Sequence, residues 1–137
     1  MEKGVRFGVY IPSSLLREIS TCMEALGVRN RSRFIQEALR SYIVECKWRF
    51  CSGVVAGVVG VVYNHEAVGV DEELTDIQHC FLDIVVASMH IHLDREKCML
   101  VIAVRGDSGR IRDFVKKISC VKGVYIAKPL LLETMTS

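Results

Sequence analysis

The sequence predicts an α+β protein in two parts, with a strand and two helices in residues 1–50 and a βαββαβ domain in residues 51–137. Three observations support this fold class. An alternating apolar segment opens the chain, and two segments with helical apolar spacing follow it. The second part then alternates strand-like and helix-like patterns. The charge divides at the same place, because residues 1–50 carry a net charge of +4 and the remainder carries −2.

The first element is a predicted half-buried strand at Val5–Ile11, in which apolar residues alternate with three outward ones: Arg6, Gly8 and Tyr10. A lone strand can neither pair its backbone edges nor bury its apolar face. We therefore expect a second copy of the chain to supply the partner strand. Two such strands form an antiparallel ribbon, which fits the major groove of DNA. The positive charge of this part also favours a polyanionic partner.

Two helices follow the strand. The sequence Pro12-Ser13-Ser14 ends the strand and offers a helix start, and apolar residues recur at helical spacing until Gly27. A second helix begins at Asn30-Arg31-Ser32 and is predicted to reach about Cys46. We place Trp48, which comes just after it, in the packing between the two parts.

The second part is predicted as a ferredoxin-like βαββαβ domain of the ACT type, with both helices on one face of an antiparallel sheet. Regulatory domains of this type associate through their sheets. The predicted elements are a strand at Val54–Asn64, a helix at about Asp71–Ser88, strands at His90–Asp94 and Met99–Gly106, a helix at about Gly109–Cys120 and a strand at Val124–Leu132.

The sequence also indicates the compartment. The first residues lack the apolar core of a signal peptide, and the apolar run Gly53–Tyr63 is too short to span a membrane. We therefore expect a cytoplasmic protein without a membrane partner, in which the cysteines are reduced. There are six of them: Cys22, Cys46, Cys51, Cys80, Cys98 and Cys120.

The histidines of the second part form a candidate metal site. His90 and His92 lie two residues apart on one predicted strand, so both imidazoles point to the same face. Because Met89, Ile91 and Leu93 should face the helices, we expect the two imidazoles on the open face of the sheet. Cys98 begins the next strand and should lie close to His92 across a hairpin.

His79 lies on the polar face of the predicted helix, and from there it cannot easily reach the far side of its own sheet. If it joins the other three residues, a neighbouring chain should donate it. Three imidazoles and one thiolate suit late first-row ions, either planar Ni(II) or Cu(II) or tetrahedral zinc. Periodicity does not choose between these geometries. The remaining histidine, His65, is interpreted as a turn residue rather than an auxiliary ligand.

The first part resembles the ribbon-helix-helix repressors in its sequence Arg6-Phe7-Gly8-Val9-Tyr10-Ile11-Pro12 and in Asn30-Arg31-Ser32. The resemblance implies that Arg6, Gly8 and Tyr10 read bases and that the region of Arg31 and Ser32 holds a phosphate. Relatives usually have small hydroxyl residues at the second and third base-reading positions. Gly8 has no side chain to hydrogen-bond, so more of the direct reading falls to Arg6.

The whole chain resembles the nickel-responsive regulators called NikR, through Gln78-His79, Ser88-Met89-His90-Ile91-His92-Leu93-Asp94, Cys98 and Val104-Arg105-Gly106-Asp107. The resemblance implies one Ni(II) per subunit, in a square plane of His90, His92 and Cys98 from one subunit and His79 from another. It also implies a repressor whose nickel-bound form binds operator DNA more tightly. Two residues depart from the pattern: Leu100 and Arg33 stand where relatives often have acids, the first beside the metal and the second in an interdomain cation site.

Two contacts per chain, one through the ribbon and one through the sheet, predict a homotetramer that is a dimer of dimers. Its operator should be an interrupted palindrome.

Other function classes explain less of the sequence. An enzyme is not expected, because the His/Cys pair has no orienting third group and no phosphate-binding loop accompanies it. A repressor whose ACT-type domain senses an amino acid would leave the coincidence of His79, His90, His92 and Cys98 unexplained. A sensor of copper, zinc or cobalt remains open from the ligand types alone.

Overall fold

The structure is a computed structural model that describes residues 2–50 and 52–135. In these residues the elements are α1 (Ser13–Leu26), α2 (Arg31–Phe50), β1 (Val54–Asn64), α3 (Val70–Cys80), β2 (Val85–His92), β3 (Lys97–Asp107), α4 (Ser108–Ser119) and β4 (Val124–Met135). No helix among them is both long enough and apolar enough to cross a membrane. The five described cysteines are free, and Cys51 lies outside the described residues.

The chain divides into two compact units between Arg40 and Ser41, ten residues before the boundary predicted from the sequence. The division falls inside α2, which extends to Phe50 rather than ending near Cys46. Trp48 lies on this extension, and its indole packs against the core of the second unit. The backbone carbonyl of Trp48 accepts a hydrogen bond from Arg112 on α4. The last turns of α2 therefore belong to the second unit.

The first unit forms its two helices where the sequence predicts them. Gly27 ends α1 in the left-handed conformation, at φ 68°, which a glycine adopts without steric cost. The side chain of Asn30 accepts a hydrogen bond from the backbone N–H of Arg33 at 3.1 Å, which caps α2. Of the described residues up to Arg40, only Met23 is buried. One copy of this unit therefore leaves most of its apolar surface in water.

The segment before α1 pairs with no strand in the described single chain. Its apolar residues are largely exposed, at 86 % for Val5, 77 % for Phe7 and 73 % for Val9. The strand predicted at Val5–Ile11 is therefore not formed within one chain. It stays a prediction, because the strand expected to pair with it belongs to a second copy.

The second unit has the predicted βαββαβ order. Its four strands are antiparallel and lie in the order β2-β3-β1-β4, which is the ferredoxin-like arrangement of ACT-type domains. The helices α3 and α4 cover one face of the sheet. The core between them is formed by Val55, Val59, Val61, Tyr63, Val70, Leu74, Phe81, Ile84, Cys98, Leu100, Ile102, Val104, Ile111, Phe114, Ile118 and Val121.

The long helix predicted at Asp71–Ser88 is wrong in its second half. The helix ends at Cys80, a turn follows, and β2 begins at Val85 rather than near His90. Pairing with β3 decides this, since Ile84 accepts a hydrogen bond from Arg105 at 2.9 Å and Val85 lies opposite Val104. The β-branched run from Ile84 also favours a strand. Long-range pairing therefore overrides the helical spacing of the apolar residues.

Candidate metal centre

The metal centre is built on β2, which is an edge strand, and on the start of β3 beside it. His90 lies opposite Leu100 and His92 lies opposite Cys98. Directly opposed residues in an antiparallel pair point to the same face. Leu100 and Cys98 are buried, at 7 % and 0 % exposed, and belong to the face that the helices cover.

The prediction that both imidazoles occupy the open face of the sheet is therefore wrong. They share the face of the helices, and both are exposed there. Met89 and Ile91 lie on the open face instead, opposite Val101 and Met99. Alternate residues of β3 are buried, and pairing with β3 therefore decides which face each residue of β2 occupies. This pairing outweighs the apolar alternation of β2 taken alone.

Three predicted ligands come together within one chain. One ligand atom from each of His90, His92 and Cys98 lies within 4.8 Å of the others. The Cys98 Sγ and the His92 Nδ1 are 3.3 Å apart, and the two imidazole rings are 5.0 Å apart between centroids. Two imidazole nitrogens and one sulfur are a donor set that fits Ni(II), Cu(II) or zinc. His79 is not part of this group.

A hydrogen-bonded chain orients His90. The Tyr63 hydroxyl donates to the Asp71 Oδ1 at 2.7 Å and lies 3.0 Å from the His90 Nε2. Because the single hydroxyl proton goes to the carboxylate, His90 donates its Nε2–H to the phenol oxygen. Its Nδ1 then carries the lone pair that can bind a metal ion, and the ring tautomer is assigned by this hydrogen bond.

Leu100 lies directly opposite His90 and offers it no polar group. Asp71 on the first turn of α3 supplies a carboxylate to the site through Tyr63. Sequence patterns did not single out Tyr63 or Asp71. One signal was present: Tyr63 follows a run of aliphatic and glycine residues in β1, and a buried tyrosine hydroxyl requires a polar partner.

The two buried acidic groups of the site are held protonated. Burial raises the pKa of Tyr63 well above its ordinary value, and the hydrogen bond and negative charge of Asp71 raise it further. Burial also raises the pKa of the Cys98 thiol, and the negative charge of Asp71 raises it further. Because a metal ion binds the thiolate, metal binding at Cys98 releases a proton and is favoured by higher pH.

His79 and His65 lie outside the three-residue cluster. His79 is exposed on the last turn of α3. His65 is in the turn after β1, where its Nε2 contacts the carbonyl of Arg95 and its ring lies edge-on to His92, with centroids 6.0 Å apart. The structure thus places His65 in the turn predicted for it.

The residues predicted to contact DNA are placed as follows. Arg6, Gly8 and Tyr10 are exposed in the segment before α1, and Arg31 and Ser32 are exposed at the start of α2. No nucleic acid geometry tests them. In the same helix, Arg33 forms an ion pair with Glu37 at 3.2 Å.

An ACT-type domain that gathers two imidazoles and a thiol at its sheet edge defines a metal-binding regulatory protein. Residues 56–131 match the family model of the NikR C-terminal nickel-binding domain. The chain belongs to this family of nickel-responsive regulators, which are not enzymes.

Relatives that match most of the chain are also named nickel-responsive regulators. A nickel-responsive regulator of Methanocaldococcus jannaschii is 42 % identical over 90 % of this chain and 88 % of its own length. One from Dictyoglomus thermophilum is 40 % identical over 90 % and 92 %, and one from Thermococcus onnurineus is 36 % identical over 96 % of each. An uncharacterized protein of Thermotoga maritima shares the fold of 60 % of this chain and 99 % of its own, with a TM-score of 0.52 and 13 % identity.

Replacing Tyr63 by phenylalanine is expected to weaken nickel binding by roughly tenfold, because His90 loses the hydrogen bond that orients it. Tyr125→Phe is the matched control, since the Tyr125 hydroxyl donates to Glu96 rather than to a residue of the ligand cluster. Competition titration with a chelator of known affinity measures both variants. Equal nickel affinity in Tyr63→Phe and the unmodified protein would remove the orienting role from Tyr63.

Proposed function

We propose that this protein is a nickel-responsive, sequence-specific DNA-binding repressor. The observation that carries the proposal is the convergence of His90, His92 and Cys98 within 4.8 Å in a chain of the nickel-regulator family. Nickel binds these three side chains and a fourth ligand, with one ion per subunit. Nickel binding raises affinity for operator DNA, which represses the target gene.

The fourth ligand is His79 of a neighbouring subunit. Three facts support this assignment: His79 is exposed, it is absent from its own chain's cluster, and β2 is an edge strand that a second chain can approach. This third imidazole is the fourth ligand and completes a square plane of three nitrogens and one sulfur, an arrangement that Ni(II) favours. Each nickel ion therefore joins two chains.

DNA is bound by the first unit as a dimer. The exposed apolar face of Val5, Phe7 and Val9 becomes buried when two copies pair as a ribbon. The opposite face then presents Arg6, Gly8 and Tyr10 to the bases of the major groove. The start of α2, at Arg31 and Ser32, holds a backbone phosphate, because a helix N-terminus attracts anions.

The second unit assembles the dimers into a tetramer. The open face of its sheet is apolar and carries exposed side chains, among them Met89, Ile126 and Leu130 at 56 %, 52 % and 59 %. Association through this face and through the ribbon gives two different isologous contacts, which close into a dimer of dimers. Two ribbons then read the two half-sites of an interrupted palindrome.

The proposed function is tested by adding nickel and following both metal and DNA. A thiolate-to-nickel absorption band should rise to one nickel per chain, and affinity for a duplex selected from a random pool by the nickel-loaded protein should rise in parallel. Zinc, copper and cobalt are the comparison ions. A band without any change in DNA affinity, or equal DNA affinity with every ion, would contradict the proposed response.

Arg6→Ala is expected to cost about 1–3 kcal/mol of binding to the selected duplex, because the guanidinium reads a guanine edge. Binding to random duplex should change little. Arg17→Ala on α1 removes the same charge from the same unit and serves as the control. Fluorescence anisotropy on labelled duplexes measures all three proteins. Equal losses on selected and random DNA would count against base reading by Arg6.

A further inference from the structure

The helix that carries His79 is held at its C-terminal end by one side chain from α4. The Arg110 guanidinium donates from Nε and from a terminal nitrogen to the two carboxylate oxygens of Asp83, at 3.0 Å each. The same terminal nitrogen donates to the carbonyl of Cys80 at 3.2 Å. Cys80 is the last residue of α3 and directly follows His79. Arg110 therefore joins α4 to the end of α3 and to the turn that follows it.

The guanidinium also stacks on an aromatic ring in the same turn. Its central carbon lies 4.1 Å from the ring centroid of Phe81, which is 2 % exposed and packs on Phe114 of α4 at 5.2 Å. A planar fork with two parallel hydrogen bonds and a stacked face has few alternative positions. The contact thus restrains direction as well as distance.

The backbone on each side of this contact is anchored, on one side by a helix cap and on the other by packing. Asp107 caps α4 by accepting a hydrogen bond from the backbone N–H of Arg110 at 3.1 Å, so the arginine sits in a fixed first turn. At the other end of the turn, Ile84 packs so closely on Gly106 that a Cβ there would lie 2.6 Å from its side chain. The contact of Arg110 with Cys80 therefore connects this anchored backbone to the last turn of α3, which carries His79.

We infer that Arg110 is a positioning residue for His79 and favours nickel over zinc at the shared site. This inference rests on the proposed donation of His79 to a neighbouring subunit. A square plane requires the fourth nitrogen in one direction, whereas zinc has no electronic preference for geometry and accepts water as a fourth ligand. Holding His79 in place therefore matters more for nickel than for zinc.

Arg110→Ala in the full chain is expected to weaken nickel binding by roughly tenfold and zinc binding by less, so that the nickel-to-zinc affinity ratio falls. The energy of the nickel absorption bands should also shift, because the fourth nitrogen is less firmly placed. In a His79→Ala background, Arg110→Ala should add no further loss of nickel affinity. Chelator competition and visible spectroscopy measure these quantities.

Lys117→Ala is the matched control, because this cation of α4 also lies over Phe81, at 5.6 Å, without a described bond to α3 or its turn. It should bind both metals normally. Arg110→Lys keeps the charge but loses the two parallel hydrogen bonds. It replaces Arg110→Ala in the test if the alanine variant does not fold, and the same loss of nickel affinity is expected.

Three results would overturn the inference. Unchanged nickel binding in folded Arg110→Ala or Arg110→Lys is one, and equal losses for nickel and zinc are another. The third is a loss in the His79→Ala background as large as in the unmodified protein. Full nickel affinity in His79→Ala alone is a different failure, since it removes the proposed fourth ligand and with it any need to position it.

Discussion

Mixing His79→Ala subunits with Cys98→Ala subunits is expected to restore high-affinity nickel binding that each variant alone lacks. The structure gathers His90, His92 and Cys98 in one chain and leaves His79 exposed outside that group. A Cys98→Ala chain still offers its histidine from α3, and a His79→Ala chain still offers the strand ligands. In the proposed tetramer, mixed subunits therefore form some complete sites.

The thiolate-to-nickel band measures this recovery directly, because only complete sites carry a bound nickel with the Cys98 sulfur. His90→Ala mixed with Cys98→Ala is the matched control. Both residues belong to the same chain's cluster, so exchange between these variants should restore no site. Native mass spectrometry shows that subunits have exchanged. If exchange is complete and the first mixture recovers no band, nickel is not shared between subunits in the proposed way.

Phe7→Asp is expected to abolish operator binding even in saturating nickel. Phe7 is 77 % exposed in the single chain, and the proposed ribbon buries it in both copies. Burial of one phenylalanine contributes about 1.5–3 kcal/mol, and the paired variant also forces two carboxylates into an apolar contact. We expect DNA affinity to fall by roughly a hundredfold or more as a result.

Val68→Asp is the control for this prediction, since Val68 is a fully exposed aliphatic residue of the second unit. It should leave DNA binding unchanged. Nickel affinity should stay close to normal in both variants, because the ligand cluster lies in the second unit. Anisotropy with the selected duplex and a parallel nickel titration separate the two effects. Normal operator binding by Phe7→Asp would mean that the segment before α1 does not form the ribbon.

Local patterns in the sequence were sufficient for the two helices of the first part, for the order of elements in the second unit and for bringing three of the proposed ligands together. The spacing of His90 and His92 requires one shared face in any strand, and the turn before Cys98 brings it back beside His92. The start of α2 at Asn30 and the end of α1 at Gly27 also followed from local backbone chemistry. These features depend on neighbours within a few residues, which the sequence displays directly.

The tertiary structure alone decided which face holds the histidines, where α3 ends and which side chains support the ligands. The sheet register placed His90 and His92 on the helix side, because β3 buries Cys98 and Leu100 there. The roles of Tyr63, Asp71 and Arg110 depend on contacts with residues 8 to 30 positions away. Such contacts arise only when strands pair and helices pack, so the periodicity of a single segment does not predict them.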